Sequence, residues 1–329
     1  MSNHLPLSVI FGADVGSTEI VIACADPNQA VRTIANNQKA IEAWLKLLPK
    51  DAVIGMEATG RYHELLADGA ARRGHRVYVI NPKRLSEYAK GVGQRGKTDP
   101  LDARVIARYV ARETDKLHPY TVPTATQRTL RDLLSQRANV VRHRGAIQQC
   151  LRAMASNGNA ALRAAQQTAQ QGLRALIAEI DAQLKAIVMA NRALESKRVL
   201  LHTIPGIGPL NSVALTHRFD RTPFANSDAV VAAYGIDPRP KDSGKKNGKR
   251  CLTKQGNAED RRLIYLAAQS AVKTKLFKPL YQALRAKGFA STEAILIVAR
   301  KLLRIAFAVW TTNKPFNPEK LGLLACKKP

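Results

Sequence analysis

Strand-forming apolar runs are confined to the first third of this 329-residue chain, which limits the folds open to it. Runs rich in β-branched residues occupy 7–13, 19–25, 30–35, 52–57 and 76–81, and helical patterns occupy 37–48, 61–74, 83–91 and 100–114. The first three runs are close enough for an antiparallel meander, with Asp26-Pro27-Asn28 as one turn. Strand and helix then alternate. Together these predict a mixed α/β domain over residues 1–122, with a central sheet and flanking helices.

From 123 to 198 the composition shifts to Ala, Gln, Leu and Arg, without strand-forming runs. Two long helices are expected, broken near Ser156-Asn157-Gly158-Asn159. Leu173, Leu176, Ile180, Leu184 and Ile187 recur at roughly heptad spacing, the pattern of a coiled-coil or helical-hairpin spacer. That face is covered either within the chain or by a second copy. Residues 199–329 read as a mostly α-helical third unit, with late helices near 258–272, 276–287 and 291–312.

The net charge of +27 makes a polyanion the natural partner. The excess grows along the chain. Lys and Arg outnumber Asp and Glu by 13 to 10 over residues 1–100, 16 to 7 over 101–200, and 23 to 8 over 201–329. Four scattered cysteines form no CxxC pair, so neither a zinc site nor a disulfide framework is expected. The N-terminus does not read as a signal peptide, and Arg300, Lys301 and Arg304 interrupt the most apolar late segment. A cytoplasmic protein without a membrane span is expected.

Against this basic background, four acids stand at the ends of predicted elements. Asp14 follows the first apolar run and opens Asp-Val-Gly-Ser-Thr. Glu57 ends the fourth run, before Ala58-Thr59-Gly60. Asp99 and Asp102 lie in Lys-Thr-Asp-Pro-Leu-Asp-Ala, where a helix should begin. Two carboxylates at strand ends and two on a first helical turn can meet around hard cations such as Mg²⁺, and two such ions stabilise both oxygens of a phosphoryl transfer. Local readings compete. Asp14 also fits an Asx-turn or a sugar-kinase-type phosphate turn, and Glu57 fits a solvated strand end. Asp99 fits an N-cap before Pro100, with Asp102 at the third helical position.

Two later features bear on phosphate. Pro205-Gly206-Ile207-Gly208 between helical patterns resembles a helix-hairpin-helix turn, in which Gly206 and Gly208 let backbone N–H groups approach a phosphate; a plain interhelical turn fits equally. Between Arg239 and Lys254 lie seven basic residues and one acid: Arg239, Lys241, Lys245, Lys246, Lys249, Arg250 and Lys254 against Asp242. This is a phosphate-gripping loop. Ser243 within it is either a solvated loop residue or a nucleophile whose attack nearby positive charge assists.

The strings Asp-Val-Gly-Ser, Glu-Ala-Thr-Gly-Arg-Tyr, Val-Ile-Asn-Pro and Lys-Thr-Asp-x-x-Asp-Ala, in this order, resemble the one-ten family of insertion-sequence transposases. So do the later strings Ile-Pro-Gly-Ile-Gly, Ala-Tyr-Gly-Ile-Asp-Pro and Ser-Gly-Lys-Lys-Asn-Gly. The resemblance implies a DEDD set on a RuvC-like, RNase H-like fold binding Mg²⁺, a helical spacer, and a C-terminal transposase domain. It further implies recombination of donor and target DNA under a structured guide (bridge) RNA, in a homo-oligomer, either dimer or tetramer. Ser243 would be the covalent nucleophile. A serine can stand in the family where Thr253 stands here, which makes Thr253 the rival hydroxyl. A hydrolytic junction nuclease and a sugar-kinase-like ATPase are the alternative functions.

Because phosphate contacts release counterions, affinity for duplex DNA should fall steeply between low and physiological salt. Each contact contributes about −0.9 to the log–log slope. A nearly flat titration would contradict an electrostatic clamp.

Overall fold

The computed structural model describes residues 6–94, 96, 98–154, 160–239 and 251–324. They fall into two compact units, Met1–Val122 and Pro123–Pro329. The first contains, in chain order, β1 (Ile10–Val15), β2 (Glu19–Cys24), β3 (Arg32–Ala35), α1 (Gln38–Lys46), β4 (Val53–Glu57), α2 (Glu64–Arg72), β5 (Arg76–Ile80), α3 (Pro82–Gly91) and α4 (Asp99–Glu113). The sheet order is β3-β2-β1-β4-β5, antiparallel through the first three strands and parallel from β1 to β4 to β5. This mixed sheet is compatible with the expected RNase H-like fold.

Local chemistry explains most boundaries. The Asp26 carboxylate accepts from Asn28 N–H at 3.0 Å, giving the turn expected between β2 and β3. Asn81 caps α3 by accepting from Lys83 N–H at 2.9 Å, with Pro82 opening the helix. Two boundaries differ from expectation. Leu7–Val9 form a 3₁₀ turn, and β1 starts at Ile10 and runs to Val15 because β2 pairs with it as far as Val15↔Ile20. Asp14 therefore lies within the strand and not after it. Thr98, not Asp99, takes the N-cap position of α4, placing Asp99 at the first helical position and Asp102 at the fourth. The Asp102 N–H already donates to Thr98 C=O at 2.9 Å, so the capping-box reading of this pair does not hold.

Side chains alternate across the sheet, which gives it two apolar faces. Phe11, Ala13, Val15, Ile54 and Met56 pack with Ile41, Trp44 and Leu45 of α1 and Leu66 and Ala70 of α2. On the other face Ile10, Val53, Tyr78 and Ile80 pack with Ile106 and Val110 of α4. Gly12 and Gly55 are register partners on this second face. A Cβ on Gly12 would stand 2.2 Å from Ala103 O and 2.3 Å from Ala107 N, and one on Gly55 would stand 2.3 Å from Val110 Cγ2. The helix lies in the trough these two glycines leave.

The second unit contains α5 (Ala125–Met154), α6 (Ala160–Met189), α7 (Arg192–His202), α8 (Pro209–Arg221), α9 (Ser227–Ala233), β6 (Pro238–Arg239), β7 (Cys251–Leu252), α10 (Ala258–Ala271), α11 (Lys278–Ala286) and α12 (Ser291–Thr312). Residue 198, the expected end of the spacer, falls inside α7, and the two long helices share a core with the helices after them. The buried line on α6 is Ile177, Ile180, Leu184 and Val188, and the last three pack with Leu130 of α5 and Val213 of α8. This is ordinary helical spacing. Leu176, placed by the heptad reading on the covered face, is 46% exposed. Among the described residues no helix is long and apolar enough to cross a membrane. The short β6–β7 pair was not expected; two-residue strands leave no periodic signal.

Gly12→Ala should lower stability by about 3 kcal/mol, because the new methyl meets helix backbone that cannot rotate away. Thermal unfolding measures this, and an unchanged midpoint would refute the close packing of α4.

Candidate active site

Asp14 and Glu57 each stand one residue past the last pair of the parallel ladder, Ala13↔Met56. Continuing that register sets them side by side. They share the face of Gly12 and Gly55, since each lies two residues along its strand. Both are half-buried. The path of α4 brings the other two acids toward them. Ala103 packs with Val21 and Ala23, the β2 partners of Asp14 and Gly12, whereas Ile106 and Val110 pack lower, beside Ile10 and Val53. The helix thus enters over the ends of β1 and β2 and descends across the sheet. Its first turn, with exposed Asp99 and half-buried Asp102, lies toward the strand ends that carry Asp14 and Glu57. That turn is also the positive end of the helix dipole.

Two amides absent from the sequence-based expectation support this end of the sheet. Asn36 Nδ2 donates to Gly16 O at 2.8 Å and to Tyr62 O at 3.2 Å, tying together the loops that follow the two acidic strands. Gln94 Nε2 donates to Asp102 Oδ1 at 3.0 Å and to Gly96 O at 3.0 Å. Asn36 Oδ1 and Gln94 Oε1 are themselves buried, with no hydrogen-bond donor among the described residues. No motif marks either residue, because their roles depend on which loops the fold brings together.

The four carboxylates are all-oxygen donors, the kind a hard divalent cation takes. Among the described residues, however, no three acids, histidines or cysteines are grouped closely enough to hold an ion together. The fold brings the acids to one end of one face without closing them into a ligand cluster. In donor chemistry these carboxylates suit a divalent metal ion.

In the second unit, Gly206 has φ +93°, and a Cβ there would lie 2.5 Å from Ala267 O. Left-handed backbone against α10 accounts for this glycine without any ligand. Gly208 is the N-cap of α8 with open space around its Cα, at an open hollow lined also by Ile207, Asn211, Leu266 and Ser270. Arg239 and Lys254 are exposed at either side of the β6–β7 pair, and Lys254 holds a left-handed φ of +52°. Lys241, Ser243, Lys245, Lys246, Lys249 and Arg250 lie outside the described residues. Their segment is bracketed by the pairs Pro238↔Leu252 and Arg239↔Cys251. The rival hydroxyl is occupied: Thr253 is 8% exposed, and its Oγ1 donates to Asp237 Oδ1.

Residues 11–157 match a transposase family of the IS110 DEDD type, and residues 198–282 match the transposase family IS116/IS110/IS902. The chain is 30% identical over 272 residues to a pilin gene-inverting protein of Moraxella bovis, covering 80% of this chain and 81% of that one. The protein of the same name from Moraxella lacunata is 29% identical over 272 residues, with the same coverage. An uncharacterized protein of insertion element IS116 from Streptomyces clavuligerus is 25% identical over 126 residues, 38% of this chain and 32% of that one.

Removing one carboxylate deletes a donor without touching the basic surface. Asp14→Asn and Asp102→Asn should each cut DNA strand cleavage by about a hundredfold or more, the scale of one stabilising group at a reacting centre. Duplex binding should be almost unaffected. A lower melting temperature with normal cleavage for Asp102→Asn would assign that residue to structure alone.

Proposed function

This chain belongs to the IS110/IS116/IS902 family of transposases, and on that premise we propose that it is the RNA-guided recombinase of an insertion sequence, with Ser243 as nucleophile and Mg²⁺ held by Asp14, Glu57, Asp99 and Asp102. Donor and target DNA are its substrates. The observation that supports the acidic half is that Asp14 and Glu57 share one end of one sheet face, toward which the first turn of α4 runs. Bound there, Mg²⁺ would supply the positive charge that stabilises the oxygens of a phosphoryl transfer. Asp14 and Glu57 offer their carboxylates from adjacent rigid strands, and Gln94 orients Asp102 from outside the set.

The covalent half rests on Ser243. Its Oγ forms a bond to phosphorus as one of the phosphate's two deoxyribose ester bonds breaks. The serine proton passes to a base, and the released sugar oxygen takes up a proton. One ester replaces another, so a second sugar hydroxyl can reverse the step and rejoin strands without an outside energy source. The engagement of Thr253 with Asp237 supports Ser243 over its rival. The name shared by the Moraxella relatives also favours recombination over hydrolysis, since inverting a gene requires cut ends to be rejoined.

A guide RNA fits a protein that holds backbones and leaves sequence choice to base pairing. A charge of +27 with only 5% aromatic residues supports that division of labour. Two compact units, one carrying the acids and one the serine segment, support a homo-oligomer in which the halves of a site come from different subunits. In it the α5–α6 pair acts as the spacer.

Denaturing a reaction in mid-course should reveal DNA covalently attached to a peptide containing Ser243. Ser243→Ala should abolish both adduct and recombination and still bind guide RNA. Free ends without an adduct would indicate hydrolysis, and an adduct on Thr253 would overturn the assignment.

A further inference from the structure

An aromatic ring stands open beside the acidic strand ends. Of the seven Phe, two Trp and eight Tyr residues, all within the described residues, only Tyr62 and Phe289 are exposed. Tyr62 is the more open, at 51%; Phe289, at 39%, lies in the second unit between α11 and α12. A single exposed apolar group is ordinary on a protein surface, so exposure alone assigns nothing. The position of Tyr62 sets it apart.

Tyr62 follows Glu57 in a loop that is tied down along its length. Ala58 N–H donates to Ile80 O at 2.9 Å and Thr59 N–H to Glu57 O at 2.9 Å, so the chain turns as soon as β4 ends. Gly60 then takes a left-handed φ of +52°, and Tyr62 N–H donates to Thr59 O at 3.3 Å. From the other side, Asn36 Nδ2 donates both to Tyr62 O and to Gly16 O. One amide nitrogen thereby holds the Tyr62 backbone to the loop after β1, at the end of the sheet where Asp14 and Glu57 stand side by side. The Cδ2–Cε2 edge of the ring lies over Gly60, 3.9 and 4.0 Å from where a Cβ would stand, and half of the residue stays open. Tyr has only two side-chain torsions, so a ring seated against backbone loses little freedom on taking a partner.

Cations grip phosphates at any step of a strand and do not fix which phosphodiester meets the acids. A ring that takes one base does fix it. Base–aromatic stacking accepts every base, because each has a π-face, so it leaves sequence choice to pairing. We propose that Tyr62 is a substrate-binding residue of this transposase: its ring stacks on the DNA base next to the scissile phosphodiester and sets the register of the cleaved strand at the acidic strand ends. The base must leave its own duplex stack to reach the ring, which fits a reaction that exchanges strands. This assignment rests on the reading of Asp14 and Glu57 as part of the cleavage site. One such anchor is in keeping with a chain of few aromatics that otherwise holds backbones.

The test compares the full-length chain, with its guide RNA and DNA, as wild type, Tyr62→Phe and Tyr62→Ala. DNA carrying iododeoxyuridine beside the scissile phosphodiester should crosslink to Tyr62 on irradiation, in wild type and equally in Asp14→Asn. Tyr62→Ala should cleave ordinary DNA about tenfold to a hundredfold more slowly, the scale of one lost base stack. Tyr62→Phe keeps the ring and should recover most of that loss. On DNA abasic at that nucleotide, wild type and Tyr62→Ala should cleave at equal rates, because the group the ring receives is gone. The log–log salt slope, guide-RNA affinity and melting temperature of Tyr62→Ala should stay at wild-type values, since no charge or buried contact is removed. Normal cleavage by Tyr62→Ala, or an equal loss on ordinary and abasic DNA, would overturn the proposal. So would a loss in Tyr62→Phe as large as in Tyr62→Ala, which would assign the role to the hydroxyl. Weaker guide-RNA binding by Tyr62→Ala would mean that the ring serves RNA, and the proposal fails. A crosslink together with full cleavage by Asp14→Asn would defeat the acidic site and leave the stack standing. No crosslink, with Asp14→Asn inactive, would defeat the stack alone.

Discussion

The close approach of α4 to β1 and β4, possible because Gly12 and Gly55 bear no side chains at paired register positions, sets the geometry of the first unit. With ordinary residues there, the helix would ride higher or shift along the sheet. Its first turn would then leave the strand ends, and Asp99 and Asp102 would part from Asp14 and Glu57. The same contact seals the apolar face formed by Ile10, Val53, Tyr78 and Ile80. Packing and chemistry therefore share one constraint. The N-terminus of α4 faces the acids because the helix descends the sheet from the strand ends, and this also brings its positive dipole end to them.

In the second unit the corresponding constraint is electrostatic. The strand pair that brackets the serine segment is only two residues on each side, too short to hold its own position. Its base is secured by Asp237, which accepts from Thr253 through its side chain and from Thr253 N–H through its backbone carbonyl at 3.2 Å. Its carboxylate also lies 3.9 Å from Arg239 Nε, within the ribbon itself. The tightly packed core around Leu201, Phe277, Val298 and Leu302 holds α12 in the second unit.

The charge gradient gives the two units different characters. Acids that would be overwhelmed in the basic C-terminal part occupy the least basic stretch of the chain. A polyanion would be drawn first to the second unit, while the carboxylates of the first remain available to cations. Separating the two signs along the chain lets one protein both attract nucleic acid and keep carboxylates near one end of its sheet.

Local pattern and composition determined much of this protein. The five strands and four helices of the first unit were legible within a few residues, because alternation and helical periodicity are properties of short segments. The break at Val122 was legible as the end of strand-forming runs, and the partner as net charge. The acids were legible as candidates because each stands near the end of a strand or in the first turn of a helix. Tertiary structure alone decided which acids share a face, since this depends on a register between strands 43 residues apart. It alone gave Asn36 and Gln94 their roles, for an amide acquires a function only from the loops it bridges. It moved Leu176 off the covered face and put Ile177 on it, because the partner surface on α5 and α8 selects which side of a nearly uniform Ala-rich helix is buried.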